Sequence, residues 1–480
     1  MAETTVIRDV DYLVAWDKAS GCQRYLRGAD IAFSGSDIVH VGAHYRGQAD
    51  RTIDGRKLMV MPGLINMHNH TNTMPAFKGV REELGSKKFY MSALYDGWPL
   101  FYPEPEDQHW NSHFAYAECL LSGVTTVVDM CRPFPGWIET MAQSGLRGYI
   151  APIFESARWY TDNGYQVKYR WAEDDGRKAM DLALKTMDQA EAHNSGRLTG
   201  MVSPMAADTC SVELIRASLA EARRRKRPMQ LHVGEAAVEF HEMTRRNGMS
   251  QVQWLHQHGL LGPELTLGHG IFLDHHSWLH WATNEDVKLL AAHGCSVSHC
   301  PIVFSRYGIT LENFGSYREA GINMTIGTDT HPHNMIEEMR AAITLARVSA
   351  ENMFNTLTSD VFHAATAGGA KALGRDDIGG LAVGMKADMV LVDLDCPAMQ
   401  PVYDPLRCLI FTAADRGVRD VFVDGVQVVA DRKVLTLDQA GAAAHISDMQ
   451  KRIMAKVPER HYAKLTAEQV SPLTLPESRA

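Results

Sequence analysis

Long apolar runs are missing from this 480-residue chain. No uninterrupted stretch approaches the roughly 18 residues that a membrane span needs. With 45% apolar and 22% charged residues, a globular chain with a sizeable core is expected instead. The start, "MAETTVIRDVDYLV", lacks the basic region and continuous apolar core of a secretory signal. None of the eight cysteines falls in a CxxC, which favours reduced thiols over a disulfide framework or a zinc ribbon. These absences point to the cytoplasm. A cationic surplus is also missing: 48 Lys and Arg stand against 57 Asp and Glu, a net charge of -9. Nucleic acid is therefore not an expected partner, since phosphate binding wants clustered Lys and Arg. The one basic cluster, "EARRRKRP" at 221–228, closes a predicted helix, where cations favour the helix dipole. Internal repeats and low-complexity segments are absent too.

What is present is a change of texture along the chain. Residues 1–60 show short alternating runs such as "ADIAFSG" and "DIVHVGAH" broken by Gly and Asp, which read as a small antiparallel sheet. Similar runs return at 375–440, in "KADMVLVDLD" and "VRDVFVDGVQVVADRKVL", so the two ends of the chain are expected to pack as one β-sandwich domain. Between them, at 61–374, strand and helix alternate. Candidate strands are 61–67, 124–130, 147–154, 198–205, 228–233, 265–271, 295–300 and 323–328, with helices such as those from 211 and from 284, where Asn284 is placed to cap. Eight repeats predict an α/β fold with a TIM-like (β/α)8 barrel, whose chemistry belongs at the C-terminal strand ends. A helical tail at 441–480 completes the chain.

The stretch "MPGLINMHNHTNTMPAFKG" places His68 and His70 one residue apart at the end of the first candidate strand. Residues i and i+2 of a strand face the same way, so both rings could close on one ion. With 22 His in the chain, a pair with satisfied ring nitrogens remains the alternative. The other strand ends bear on the choice. The fifth, "PMQLHVGE", ends in His232 with Glu235 three residues on; the sixth, "LTLGHG", in His269; the seventh, "SVSHCP", in His299; the eighth, "MTIGTDT", in Asp329. Three imidazoles and a carboxylate suit zinc or ferrous iron, with a position left for water acidified toward neutrality.

The motifs "PGLINMHNH", "LHVGE", "LGHG", "SHCP" and "IGTD", followed by "FHAATAGGAKALG", resemble the amidohydrolase superfamily over about 5–440. Within it they are similar to the group of S-adenosylhomocysteine and methylthioadenosine deaminases, guanine deaminase and the triazine hydrolases. The resemblance implies that His68, His70, His232 and Asp329 hold one divalent metal ion, zinc or iron. Glu235 and His269 would be acid–base residues, and Asp329 would also accept a proton from the attacking water. Binuclear members generally use a carboxylated lysine from the fourth strand; "RLTGMVSPMAAD" offers none, so a single ion is expected. The relatives also imply a homodimer or higher homo-oligomer.

Two departures mark the substrate pocket: "IVFSRYG" after "SHCP", and "THPHNMIEEM" from 330, with His331 and His333 where small residues are usual. His299 is either a substrate contact or a core hydrogen-bonding residue. His331 and His333 are substrate contacts, a second metal site or a loop pair, with His333 the favoured contact. The segment after the first strand reads as a lid whose Tyr95, Trp98, Phe101 and Tyr102 could stack a flat heterocycle or serve packing, with Lys78 and Arg81 close behind the HxH. The leading expectation is a deaminase releasing ammonia from an aminated N-heterocycle, a small molecule. One alternative expels an alkylamine, chloride or thiol from a triazine-like or thiocarbamate-like substrate; another, a non-catalytic scaffold, is disfavoured by the full set of candidate ligands.

Overall fold

The computed structural model describes residues 3–477 and shows a mixed α/β architecture. At its centre are two halves of parallel strands. One runs in the order Leu198–Gly200, Arg147–Phe154, Val124–Cys131, Leu64–Asn69, and the other Met229–Val233, Leu265–His269, Ser296–His299, Asn323–Ile326. Nearly every residue of these strands is buried, as expected of parallel strands covered on both faces, and this is why they read as continuous apolar runs. The halves meet at two seams. At one, the backbone N–H groups of Thr328 and Asp329 both donate to the His68 carbonyl; at the other, His232 N–H donates to Met205 and Gln230 N–H to Val202.

Helices cover these strands. Ser211 caps Val212–Arg225 by accepting from Leu214 N–H at 3.0 Å. The cap expected at Asn284 is not formed. That helix runs Asp286–Ala292, and Asp274, from the preceding loop, accepts from the N–H groups of Glu285 and Asp286 instead, a tertiary partner displacing the local one.

The ends of the chain form two further sheets. A four-stranded sheet has the order Asp37–Gly42, Ala29–Ser34, Thr4–Val10, Arg51–Asp54; a seven-stranded sheet joins Tyr12–Asp17, Cys22–Leu26 and Leu58–Pro62 to Met389–Asp393 and the strands after it. They share a core of Ile7, Leu13, Phe33, Val60, Leu391 and Phe422. Two expectations are corrected. Residues 1–60 do not make one antiparallel sheet: Thr4–Val10 runs parallel to Arg51–Asp54, and Tyr12–Asp17 runs parallel to Leu58–Pro62 in the other sheet. The single strand expected at 61–67 is two strands in different sheets, Leu58–Pro62 and Leu64–Asn69, because Gly63 N–H turns to the Asp388 carbonyl at the junction. A continuous apolar run hides that break.

The helix Gln439–Arg460 is packed rather than trailing. Its Ile446, Met449, Ile453 and Val457 bury against Met74, Phe77, Val80 and Phe101 of the segment after the first strand. Gln450 donates to the carbonyls of Ala76 and Lys78, and Arg460 to those of Leu100 and Tyr102. Among the described residues no helix is long and apolar enough to cross a membrane, and all eight cysteines are free, six of them buried.

Arg147, at the start of its strand, ties the central strands to the end-formed sheets through Asp388 at 2.9 and 3.1 Å and Asp424 at 2.9 Å. Arg147 and Asp388 are both buried. Removing one partner of a buried pair leaves an uncompensated charge. Arg147→Met is expected to lower stability by about 3–5 kcal/mol, read from the midpoint of a denaturant titration; an unchanged midpoint would show the tie to be dispensable.

Candidate active site

The C-terminal ends of the central strands bring the sequence-predicted residues together. His68, His70 and His232 offer ligand atoms all within 4.8 Å of one another, as do His68, His269 and Asp329, and His232, Glu235 and His269. His68, 0% exposed, sits where two glycines make room for it. A Cβ on Gly327 would lie 2.6 Å from the His68 Cβ, and one on Gly268 would lie 3.0 Å from its Cε1. The glycines of "LGHG" and "IGTD" are thus close-approach positions around one imidazole.

Each of the three rings is anchored through Nδ1. His70 Nδ1 donates to the Met130 carbonyl at 2.5 Å and His232 Nδ1 to the Met205 carbonyl at 2.6 Å. His68 Nδ1 donates to Gln230 Oε1, and the Gln230 amide is itself held by donating to the Met67 carbonyl at 2.8 Å. A carbonyl oxygen only accepts, so the ring proton stands on Nδ1 and Nε2 carries a free lone pair. These lone pairs converge: His70 Nε2 and His232 Nε2 are 3.3 Å apart, with Asp329 Oδ1 3.5 Å from His70 Nε2 and 3.8 Å from His68 Nε2. Among the described residues His68 Nε2 has no hydrogen-bond partner although buried. Facing lone pairs without a shared proton repel, so this donor set fits a divalent cation between them.

Electrostatics agree with that geometry. Burial, then the neighbouring rings of His269, His232 and His70, holds the His68 ring well below the usual imidazole value, and burial with His70 lowers His232 to about 4. Burial lowers His70 as well, so the neutral form, the one that ligates metal, is favoured in all three rings. Asp329 is pushed up to about 6 by burial, partly offset by His232 and Arg81. Burial, reinforced by Asp329, Glu239 and Asp208, raises Glu235 well above the carboxylate range, and its loop is held by Glu239, which accepts from the N–H groups of Gly234 and Glu235. Backbone strain concentrates here as well: His269 has φ +84° and Asp329 φ +58°. Such conformations cost about 1–3 kcal/mol each and persist where surrounding structure over-determines them.

A cavity of about 50 Å³ opens onto His70, His232, Glu235 and Asp329, walled by Met74, Ile153, Val303, Phe304 and Ile309. Trp98, Leu94 and Met205 separate it from an outer compartment of about 290 Å³. Of the four lid aromatics, Trp98 alone lines the inner cavity. Tyr95 and Phe101 are buried in packing and Tyr102 lines the outer compartment. His299 and His333 are buried but lie outside the lining; His299 is lowered to about 3 by burial alone, and neither ring nitrogen of His333 has a partner among the described residues. His331 is a latch, bonding the Met74 carbonyl through Nδ1 at 3.0 Å and Glu82 through Nε2 at 2.8 Å. Phe304 and Tyr307 were not foreseen in the lining. Both come from "IVFSRYG", the segment whose departure from the family pattern was the available signal, and Phe304 meets the His269 ring edge-on at 4.7 Å.

Four convergent ligand-type side chains at the ends of parallel strands, beside a buried carboxyl and an enclosed cavity, define a metal-dependent hydrolase. Residues 59–428 match the Amidohydrolase family, and the chain belongs to it. It is similar to a 5'-deoxyadenosine deaminase of Methanosarcina mazei, 27% identical over 93% of this chain and 98% of that one. Similarity to a 5-methylthioadenosine/S-adenosylhomocysteine deaminase of Pelotomaculum thermopropionicum is 28%, over 90% and 94% of the two chains. Among solved structures, an adenosine deaminase from Xanthomonas campestris with bound zinc aligns with a TM-score of 0.80 at 25% identity, covering 94% of this chain and 98% of that one.

Gln230 supplies the acceptor that orients His68 without itself facing the converging lone pairs. Gln230→Leu is expected to weaken divalent-metal affinity about 10- to 100-fold, measured by competition with a chromophoric chelator; unchanged affinity would mean the His68 ring is oriented by packing alone.

Proposed function

We propose that the chain is a zinc-dependent aminohydrolase that releases ammonia from an aminated N-heterocycle. The observation that carries this reading is the convergence of three Nδ1-anchored imidazoles and Asp329 at the floor of a cavity whose wall includes Glu235. His68, His70, His232 and Asp329 hold the ion. Zinc is supported by the nitrogen-rich donor set and by the zinc bound in the similar adenosine deaminase. A single ion is supported by the absence of lysine from Arg147–Phe154, Leu198–Gly200 and Ser203–Pro204. The two parallel halves, hydrogen-bonded at both seams, are read as one (β/α)8 barrel at 61–374, with residues 1–60 and 375–440 forming a sandwich domain beside it.

When bound, the ion supplies a water acidified toward neutrality. The chain's own groups then handle protons. Asp329 accepts one from the attacking water, and His269, its Nε2 3.9 Å from Glu235 Oε1, steadies the charge that develops on oxygen. Glu235, kept protonated by burial, donates to the ring nitrogen beside the carbon that bears the amine. As the new C–O bond forms and the C–N bond breaks, the amine takes the proton that Asp329 accepted and leaves as ammonia, the proton of the added hydroxyl returns to Glu235, and the ring keeps a carbonyl and an N–H. The outer compartment, reached past Leu94, Trp98 and Met205, gives room for a substituent such as the sugar of a nucleoside, the kind of substrate that the names of the similar deaminases specify.

His68→Ala and Asp329→Ala are each expected to lose bound metal and ammonia release together, read by elemental analysis and a coupled ammonia assay. Wild-type turnover by either in chelator-treated buffer would remove these residues from the centre. Glu235→Gln is expected to keep the metal and to lose about 10²- to 10⁴-fold in kcat, because the amide cannot pass a proton. Loss of metal in this variant would instead make Glu235 a ligand.

A further inference from the structure

Arg81 is 4% exposed, lies seven residues past Met74 and lines the inner cavity. Its contacts do not account for it. Among the described residues Nη1 reaches the Met74 sulfur at 3.5 Å, the guanidinium carbon stands 5.5 Å from the Phe77 ring centre, Nε has no hydrogen-bond partner, and no carboxylate is in ion-pair contact with the guanidinium, although its charge acts on Asp329 at longer range. The neighbouring cations are engaged: Lys78 with Glu118 at 2.5 Å, and Arg306 with Glu82, His331 and Thr330. A buried cation without hydrogen-bonded acceptors is costly, so a guanidinium kept in this state awaits a partner from outside the chain.

Two further donors on the lining share that condition: the Trp98 indole N–H and the Tyr307 hydroxyl are buried and have no partner among the described residues. Tyr307 stands beside Arg81, whose guanidinium carbon is 6.0 Å from its ring centre. The other hydroxyls on the lining are engaged locally, Ser92 with Leu94 N–H and Thr330 with the His331 carbonyl. The polar part of a largely apolar lining thus combines His70, His232, Glu235 and Asp329 with three groups, Arg81, Trp98 and Tyr307, whose donors lack oxygen acceptors among the described residues.

We infer that Arg81, helped by Trp98 and Tyr307, recognises an oxygen on the substrate ring, so that the enzyme acts on aminated heterocycles that also carry an oxo group, neutral or ionised, in preference to amino rings without one. This rests on the deaminase reading and sharpens it. Arg suits the task because its planar fork stays charged and directs several N–H groups at one oxygen. The amine carbon is left to the converging imidazoles and Glu235. A ring without the oxygen would leave the buried donors unsatisfied, which is how a polar site rejects an analogue lacking the matching group.

The test uses matched ring pairs with no exocyclic amine, so that binding is separated from turnover: purine against 2,6-dioxopurine, pyrimidine against uracil, and 1,3,5-triazine against cyanuric acid. Titration calorimetry on the metal-loaded enzyme is expected to show the oxo member of at least one pair bound at least about 10-fold more tightly, as a charge-assisted hydrogen bond provides. In Arg81→Met that preference should fall about 10- to 100-fold, and in Arg81→Lys it should return in part, with metal content and thermal midpoint measured alongside. If Arg81→Met does not fold, Arg81→Lys and Tyr307→Phe carry the test, each expected to lose part of the preference. No oxo preference in any pair, or a preference untouched in every folded variant, overturns the inference. An intact, Arg81-dependent preference in an enzyme that releases ammonia from no aminated ring would defeat the deaminase reading and leave the recognition of oxygen standing.

Discussion

Three imidazole lone pairs must point at one place without a proton between them, and the central part of the structure can be understood from that constraint. Neutral rings meet it only when each Nδ1 proton is given to an acceptor elsewhere. The Met130 and Met205 carbonyls and the Gln230 amide oxygen are those acceptors, supplied by three different strands or strand ends. Burial does the rest by holding the rings uncharged. The same enclosure raises the Glu235 carboxyl, so one low-dielectric pocket acts on the histidines and on the carboxyl alike, favouring the uncharged form of each.

Bringing those rings together shapes the surrounding chain. The two parallel halves meet where Asp329 and Thr328 hydrogen-bond the His68 carbonyl, so the backbone that joins one seam also positions a carboxylate beside the histidines. Left-handed backbone at His269 and Asp329 turns the chain sharply at the strand ends, and the glycines at 268 and 327 leave the volume that His68 fills. Farther out, Gln439–Arg460 clamps the segment that carries Arg81 and Trp98, linking the far end of the sequence to the cavity wall.

Much of this is legible in the sequence. The alternation of apolar strand runs with capped helices located all eight central strands, the observed ones starting and ending within a few residues of expectation except where Gly63 splits the first and the fourth breaks after Gly200. Polar residues at the ends of apolar strands singled out His68, His70, His232, Glu235, His269 and Asp329, and these do meet. The lining was less legible. Tyr95 and Phe101 have the composition of a stacking surface yet are consumed by packing, whereas Phe304 and Tyr307 reach the cavity from a helix and turn whose direction no local pattern specifies.

The sequence by itself determined the α/β class of the fold and which polar side chains stand at the strand ends, because strand periodicity and the placing of polar groups at strand ends are local properties. Only the tertiary structure decided which nitrogen of each ring is free, since the deciding acceptors lie 60 residues away for His70 and 162 for His68. It also decided that Lys78 is neutralised by Glu118 while Arg81, three residues later, lines the cavity with no carboxylate paired to it among the described residues. Pairing and burial are properties of neighbours in space, and a charge at a given position acquires its meaning only from what the fold places beside it.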